Sequence, residues 1–302
     1  MRPLVAVLLG QLILAGLLLI LVATGSLNFF GDVADTGADG KPAATPQRVD
    51  RFDQERAWGW LVSQVEMGPR PAGSAQSRKL AAQIKRALPR GSYQTVPGGL
   101  RNVVGVTPGR DPKRRVVVGA HYDTKEIPGF VGANDGAGGV AAMLELARDI
   151  QPRTIGPTIV WIAFDGEESP GPSNDGDFEK YGIRGAKVAA KKYAKGTEAM
   201  ILLDFIADKD LRTPREGNSN LALWNKLRAA ARRVGTEGHY PDDNFGPVSD
   251  DHIPFLRRGV PSIDLIDFDF PCWHKTCDDL SAVSKESLDV SGETVRELLA
   301  SL

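Results

Sequence analysis

The hydrophobic positions beyond residue 49 follow two alternating patterns. Short runs that are almost wholly apolar predict buried strands, and longer segments with apolar residues every three or four positions predict helices. The predicted strands are 102–108, 114–123, 157–166, 199–207 and 260–268, and the predicted helices are 51–67, 74–88, 138–150, 221–235 and 285–302. Because buried strands separated by helices form sheets covered on both faces, we predict a three-layer α/β fold with a central, mostly parallel mixed sheet and helices on both faces.

The amino-terminal residues have a different pattern. Residues 3–23 are apolar except for Gln11, and about 20 such residues are needed to cross a bilayer. We therefore predict one N-terminal transmembrane helix within residues 1–24, with a cleavable signal peptide as the alternative. Residues 25–48 are rich in Gly, Ala, Asp, Thr and Pro and are typical of a flexible stalk. The remaining residues, 49–302, form the predicted catalytic domain.

The charges on either side of this apolar segment predict its orientation. Arg2 precedes the segment, whereas Asp32, Asp35 and Asp39 follow it. Positive charges stay on the cytoplasmic side of membranes, so we expect a single-pass membrane protein whose catalytic domain lies outside the cytoplasm, on the periplasmic or extracellular side. The domain would be secreted if the leader were cleaved.

Composition narrows the range of functions. The chain has 302 residues, 42% hydrophobic and 25% charged, with a formal net charge of −1. This length suits one large α/β domain, and the scattered charges argue against a nucleic-acid partner. The only cysteines, Cys272 and Cys277, flank His274. A small disulfide loop is feasible in an oxidising compartment, and a metal site built on both thiols or two unpaired thiols are the alternatives.

Several polar residues follow predicted strands. His121 and Asp123 end the second strand, Glu167 and Glu168 follow the third, and Asp204 lies near the end of the fourth. Sheets of this kind bind their ligands at the carboxyl ends of the strands. His121 and Asp123 are two positions apart, so their side chains should point to the same face.

These residue types suit a zinc site, because zinc accepts histidine nitrogen and carboxylate oxygen. The candidate ligands are His121, Asp135, Glu168, Asp204 and His274. Glu167 and Glu168 are adjacent and their side chains diverge, so one can bind metal while the other serves as general acid or base. We predict one zinc ion, with two as the alternative.

The order of the motifs adds a resemblance. The series "GAHYDTK", "FVGANDGAGGVAAMLELAR", "FDGEES", "LLDFI", "DDHIPFLRRGVP" and "FPCWHKTCDDLSAV" resembles the zinc aminopeptidase and glutaminyl cyclase superfamily over residues 50–302. Within it, "HYDTK", "FVGAND", "LLDFI" and "DDHIPFLRRGVP" are most similar to the glutaminyl-peptide cyclotransferases. Those enzymes convert an N-terminal glutamine of peptides or proteins into pyroglutamate and release ammonia.

The resemblance implies roles for individual residues. Zinc would be held by Asp135, Glu168 and His274, and Glu167 would be the acid/base. Asp204 and Asp250 would complete the carboxylates that handle protons and bind substrate, and Trp273 would form a wall of the pocket. Substrate contacts are also expected for Asp264, which stands where animal-type cyclases have a histidine. A substrate contact is further predicted for Lys125, with a solvated lysine as the alternative. Animal-type cyclases also have a tryptophan soon after the paired glutamates, and this chain has none there.

The aminopeptidases of the superfamily support an alternative function. In them the same positions hold two zinc ions, and the resemblance then implies that His121 and Asp204 bind the second ion while Asp135 bridges the pair. Such an enzyme would hydrolyse N-terminal residues from peptides. In either case Asp123 is expected to orient His121.

Overall fold

The structure is a computed structural model that describes residues 49–171 and 176–302. The predicted membrane segment and stalk lie outside the described residues. Within the described ranges, no helix is long and apolar enough to cross a membrane.

Six strands form the central sheet. They are β1 (Ser92–Val96), β2 (Leu100–Thr107), β3 (Asp111–His121), β4 (Pro157–Phe164), β5 (Ala199–Leu203) and β8 (Ser262–Leu265), in the order β1-β2-β4-β3-β5-β8. The pairs β4/β3, β3/β5 and β5/β8 are parallel, whereas β1/β2 and β2/β4 are antiparallel. The prediction of a mixed sheet with a mainly parallel centre is confirmed. A separate parallel pair joins β6 (Arg215–Glu216) and β7 (Asn244–Gly246).

Helices cover both faces of the sheet. They are α1 (Gln54–Val65), α2 (Ala75–Ala87), α3 (Gly139–Asp149), α4 (Phe178–Tyr181), α5 (Arg184–Tyr193), α6 (Leu221–Val234), α7 (Ile253–Leu256) and α8 (Lys285–Ser301). Val116, Val118 and Ala120 of β3 enter a large core that includes α1, α2, α3, α6 and α8. Val117 enters a smaller core with α5 and α7 on the opposite face. The alternation of side chains along β3 thus produces the predicted three layers.

Strand β1 and the helices α4, α5 and α7 were not predicted. Helix α5 buries only Gly185 and three alanines, so no large apolar residue marks its buried face. Strand β1 is at the edge of the sheet, and most of its side chains are exposed, so its pattern is mainly polar. Strands β5 and β8 are shorter than predicted and end at Leu203 and Leu265. The residues that follow them leave the sheet at its carboxyl edge.

Candidate metal centre and active site

His121 is the last residue of β3 and is buried. Its Nδ1 lies 3.1 Å from the backbone oxygen of Asp123. Its Nε2 lies 3.2 Å from Asp135 Oδ1 and 3.4 Å from Asp204 Oδ1. An Nδ1–H that donates to the Asp123 carbonyl leaves Nε2 as the nitrogen facing the two carboxylates.

Asp135 lies at a kink in the turn Ala133–Gly138 that precedes α3, with a φ of −82° and a ψ of 93° that are not helical. Gly136 has a φ of 97° there, and a Cβ at this position would lie 2.8 Å from the Asp123 oxygen. Only glycine allows the turn to approach β3 so closely. The Asp278 carboxylate accepts hydrogen bonds from the N–H groups of Asn134 and Asp135, at 2.7 and 3.0 Å. These contacts fix the Asp135 backbone beside His121.

The loop that carries Glu167 and Glu168 is held by Asp123. The Asp123 carboxylate accepts hydrogen bonds from the N–H groups of Gly166, at 2.9 Å, and of Glu167 and Glu168, both at 3.2 Å. Its nearest oxygen is 3.9 Å from His121 Nδ1. The expected orientation of His121 by Asp123 is therefore made by the backbone carbonyl, and the carboxylate orients the glutamate loop.

Two groups of candidate ligands share Asp135. One is His121, Asp135 and Asp204, and the other is Asp135, Glu168 and His274; in each group the ligand atoms lie within 4.8 Å of one another. In the second group, His274 Nε2 lies 3.3 Å from Glu168 Oε1 and 3.7 Å from Asp135 Oδ2. The five residues predicted as ligands are thus brought together, with one Asp135 oxygen facing each group.

The donor atoms fit a metal. Among the described residues, His121 Nε2, Asp135 Oδ2 and Glu168 Oε1 are buried and have no hydrogen-bond partner. Buried polar atoms without partners cost free energy, and a cation in each group would satisfy them: His121 Nε2 in the first group, and Asp135 Oδ2 with Glu168 Oε1 in the second. A mixture of imidazole nitrogen and carboxylate oxygen is typical of zinc sites.

A cavity of about 230 Å³ opens onto these groups. Its walls are Asp135, Glu167, Glu168, Phe178, Asp204, Phe205, Val248, Ser249, Asp250, Ile266, Phe268, Trp273 and His274. The sequence indicated the acids, Trp273 and His274, but not Phe178, Phe205 or Phe268. Phe205 and Phe268 lie in segments predicted as strands but follow the actual ends of β5 and β8, and Phe178 begins the short helix α4. Phe178 belongs to the segment after the paired glutamates, in which the sequence has no tryptophan.

Two residues expected to contact substrate do not line the cavity. Lys125 is fully buried; its Nζ donates to Ser169 Oγ at 2.8 Å and lies 3.5 Å from Glu168 Oε2. Lys125 is therefore neither solvated nor a cavity residue. It contacts the loop that carries Glu167 and Glu168, at Ser169 and Glu168. Asp264 is buried in β8, with its Oδ2 3.6 Å from His252 Nδ1. His252 Nε2 in turn lies 3.2 Å from Glu216 Oε2, a buried contact that the sequence did not indicate.

Burial dominates the electrostatics of the acids in the cavity. It raises the pKa of the Glu167 carboxyl well above its ordinary value, and the nearby carboxylates of Glu168 and Asp251 raise it further while His121 opposes them. Burial and neighbouring carboxylates, first among them Asp264, likewise raise the pKa of Asp250. A bound cation would act in the opposite direction, because it stabilises carboxylates.

The loop that carries Trp273 and His274 is closed by a disulfide. Cys272 and Cys277 are joined, with their Cα atoms 5.4 Å apart. Of the three states considered from the sequence, the structure has the disulfide, so the alternative of a metal site built on both thiols is wrong.

Comparisons with known proteins agree with the resemblance seen in the motifs. The chain is 30% identical over 243 residues to the glutaminyl-peptide cyclotransferase of Bothrops jararaca, a match that covers 64% of each protein, so the chain spans about two-thirds of that relative. The crystal structure of the Bacteroides thetaiotaomicron glutaminyl cyclase bound to N-acetylhistamine is 26% identical, with a TM-score of 0.75 over 84% of this chain and 99% of that one. A leucine aminopeptidase precursor from Bacteroides thetaiotaomicron is 25% identical, with a TM-score of 0.75 over 85% and 99%.

The family comparison covers the strands and loops that carry the site. The model of "Peptidase family M28" matches residues 102–299, a range that includes all five candidate ligands and the walls of the cavity. This chain therefore belongs to peptidase family M28.

Proposed function

We propose that this chain is a zinc-dependent glutaminyl-peptide cyclotransferase that converts the N-terminal glutamine of peptides or proteins into pyroglutamate and releases ammonia. The observation that carries this proposal is that one cavity is lined both by the ligand group Asp135, Glu168 and His274 and by the acids Glu167 and Asp250. The names of the relative from Bothrops jararaca and of the Bacteroides glutaminyl cyclase support the same reaction.

The size of the cavity suits a single residue. Its volume of about 230 Å³ is below the range of about 300–1,000 Å³ that is usual for drug-sized ligands. Phe178, Phe268 and Trp273 offer apolar walls for the methylene groups of a glutamine side chain, and the acids of the lining offer polar groups for its amine and amide. Zinc held by Asp135, Glu168 and His274 would supply Lewis acidity toward the side-chain amide carbonyl of the substrate.

Glu167 would move the proton. In the proposed reaction the α-amino nitrogen of the substrate forms a bond to the side-chain amide carbon, and the bond from that carbon to the amide nitrogen breaks. Glu167 accepts a proton from the attacking nitrogen and donates one to the departing nitrogen, which leaves as ammonia. Because burial raises its pKa, the Glu167 carboxyl can hold this proton between the two steps. Asp204 and Asp250 line the same cavity and would accept hydrogen bonds from the substrate's amino group.

A second candidate is a two-zinc aminopeptidase, and one specific observation favours it. His121, Asp135 and Asp204 form a second group of ligand atoms that shares Asp135 with the first. A site of this kind suits hydrolysis with two metal ions. Glu167 would then accept a proton from the attacking water instead of from an amine.

The two functions can be separated by their products and by metal content. We would offer the purified, zinc-loaded protein a glutamine-initiated peptide and a series of amino-acid arylamides, and measure zinc by elemental analysis. Ammonia release without cleavage, together with one zinc per chain, supports the cyclotransferase. Release of arylamine with two zinc ions per chain would overturn it in favour of the peptidase.

The roles of the paired glutamates have a matched test. Glu167→Gln should keep zinc and lower turnover by about 100-fold to 10,000-fold, the usual contribution of a general acid or base. Glu168→Gln should lose both zinc and turnover, because Glu168 Oε1 faces His274 at 3.3 Å. Equal loss of zinc in the two variants would contradict this division of roles.

The location of the protein is also a proposal: a single-pass membrane protein with its catalytic domain outside the cytoplasm. The apolar residues 3–23 and the disulfide between Cys272 and Cys277 support it, because disulfides persist in oxidising compartments. Protease added to spheroplasts, which have no outer membrane, should digest the catalytic domain, and full protection of that domain would contradict the proposed side.

A further inference from the structure

His274 differs from the other candidate ligands in the segment that carries it. His121 ends β3, Asp204 directly follows β5, and Asp135 lies in the turn that begins α3. Glu168 lies on the loop that Asp123 holds by three hydrogen bonds. His274 lies between β8 and α8, where the described chain forms turns and has no helix or strand of its own. Hydrogen bonding within a regular element therefore does not fix its position.

The disulfide closes a ring of six residues around His274. Cys272 and Cys277 are its ends, and the N–H of Lys275 donates to the Cys272 oxygen at 3.0 Å across it. Within this ring His274 has a φ of 52°, in the left-handed region. A residue other than glycine held there costs about 1–3 kcal/mol and keeps this conformation only where its surroundings impose it. The covalent ring is such a constraint.

The ring is attached to the rest of the metal site at its far end. Asp278 directly follows Cys277, and its backbone oxygen accepts a hydrogen bond from the Ala133 N–H at 3.2 Å. The Asp278 carboxylate accepts the N–H groups of Asn134 and Asp135. The residue that directly follows the disulfide ring is thus hydrogen-bonded to the turn that carries Asp135.

The same ring carries a wall of the cavity. Trp273 is 40% exposed, and its ring centroid lies 4.7 Å from that of His274 and 5.0 Å from that of Phe268. Packing around Trp273 is therefore one-sided. The backbone of the ring has to hold both Trp273 against the cavity and His274 toward Glu168.

We propose that Cys272 and Cys277 are positioning residues: their disulfide holds His274 in the ligand geometry, and its reduction weakens metal binding. This inference rests on the metal site of the proposed function. Cys277 is exposed, so a dithiol reductant can reach the bond. In that step the S–S bond breaks, each cysteine sulfur gains a hydrogen, and the dithiol is oxidised to its own disulfide.

The test is the zinc affinity of the full chain, measured by competition with a chromophoric chelator. The double variant Cys272→Ser/Cys277→Ser should bind zinc about tenfold more weakly, at the lower end of the effect of residues that orient metal ligands. Thr276→Ala, an exposed change inside the same ring, is the matched control and should bind like the wild type. Wild-type affinity in the double serine variant would overturn the proposal.

A second arm shows whether the disulfide acts through His274. In a His274→Ala background, replacing both cysteines by serine should produce no further loss of zinc affinity, because the ligand being positioned is already absent. An equal loss in that background would show a general effect on folding and overturn the proposal. The unfolding temperatures of the metal-free variants, measured in parallel, report that general effect separately.

A third arm uses the wild-type protein treated with a phosphine, which is oxidised to its oxide as it reduces the disulfide. The reduced protein should match the double serine variant. If reduction alters affinity while the serine variant binds like the wild type, the free thiols themselves take the metal, and the positioning role is refuted. Zinc binding is measured without substrate, so failure of this inference is distinct from failure of the proposed reaction.

Discussion

Asp123→Asn gives a sharp test of how the glutamate loop is held. Oδ1 of Asp123 accepts the N–H groups of Gly166 and Glu167, and Oδ2 accepts that of Glu168. Asparagine has the same shape but only one acceptor oxygen. If that oxygen keeps the first two bonds, the amide NH2 faces the N–H of Glu168, and two donors are opposed.

The magnitude follows from that single lost acceptor. A buried N–H without a partner costs about 1–3 kcal/mol. Part of this is offset, because burial, Asp165 and Glu168 raise the pKa of Asp123 to about 7 although His121 opposes them, and the neutral amide removes that repulsion. We therefore expect a net loss of about 1–2 kcal/mol, which lowers the unfolding temperature by roughly 2–8 °C in a domain of this size.

The assay is thermal unfolding of the metal-free protein at pH 7, followed by zinc titration. Because the Glu168 backbone loses its anchor, zinc affinity should fall by about 10-fold to 100-fold. Asp165→Asn is the control: Asp165 is also buried and accepts the N–H of Arg101, outside the loop, so it should leave zinc affinity unchanged. Wild-type affinity in Asp123→Asn, or equal losses in both variants, would refute this account of the loop.

Three other substitutions have expected outcomes. Gly139→Ala would place a Cβ 2.1 Å from the Leu203 oxygen, where α3 packs on β5. The free energy of unfolding, measured by thermal unfolding, should fall by about 1–3 kcal/mol or more. An unchanged unfolding temperature would contradict the close contact. Burial raises the pKa of Asp267 to about 6, so the folded protein binds this proton more tightly than the unfolded chain, and the resulting stability is lost as the pH rises through about 4–7. In a plot of unfolding temperature against pH, Asp267→Asn should therefore flatten the fall over this range. The same slope in the variant and the wild type would contradict this prediction. Trp273→Ala should raise KM about tenfold, in line with about 1.4 kcal/mol for an aromatic contact, and a change in kcat alone would contradict its place in the wall.

The sequence allowed much of the ligand set to be predicted, because the carboxyl ends of parallel strands meet at one edge. His121 ends β3, and Asp204 directly follows β5. Two neighbouring strands of the sheet thus bring these residues within 3.4 Å of each other. Asp135 and His274 lie on loops, and their place in the site came from motif order and not from periodicity.

Other expectations failed for identifiable reasons. The alternation of side chains applied to Asp123 holds only inside a strand, and β3 ends at His121; the carboxylate therefore turns to the glutamate loop. For Lys125, both the expected substrate contact and the alternative of a solvated side chain are wrong; lysines are rarely buried without a partner, and this one has partners. Its partners, Ser169 and Glu168, are more than forty residues away, and no local pattern reports them.

The choice between the two reactions depends on what lies beside His121 Nε2. The ligand types for one or two metal ions are the same, so the set alone does not separate the functions. Burial opposes a proton on His121, but its contacts with Asp135 and Asp204 outweigh burial and raise its pKa well above the ordinary value. A proton there would neutralise the same two carboxylates, at 3.2 and 3.4 Å, that a second cation would bind. Proton and second zinc therefore compete for one place, and a protonated His121 would leave one metal site, the arrangement that we propose for the cyclotransferase.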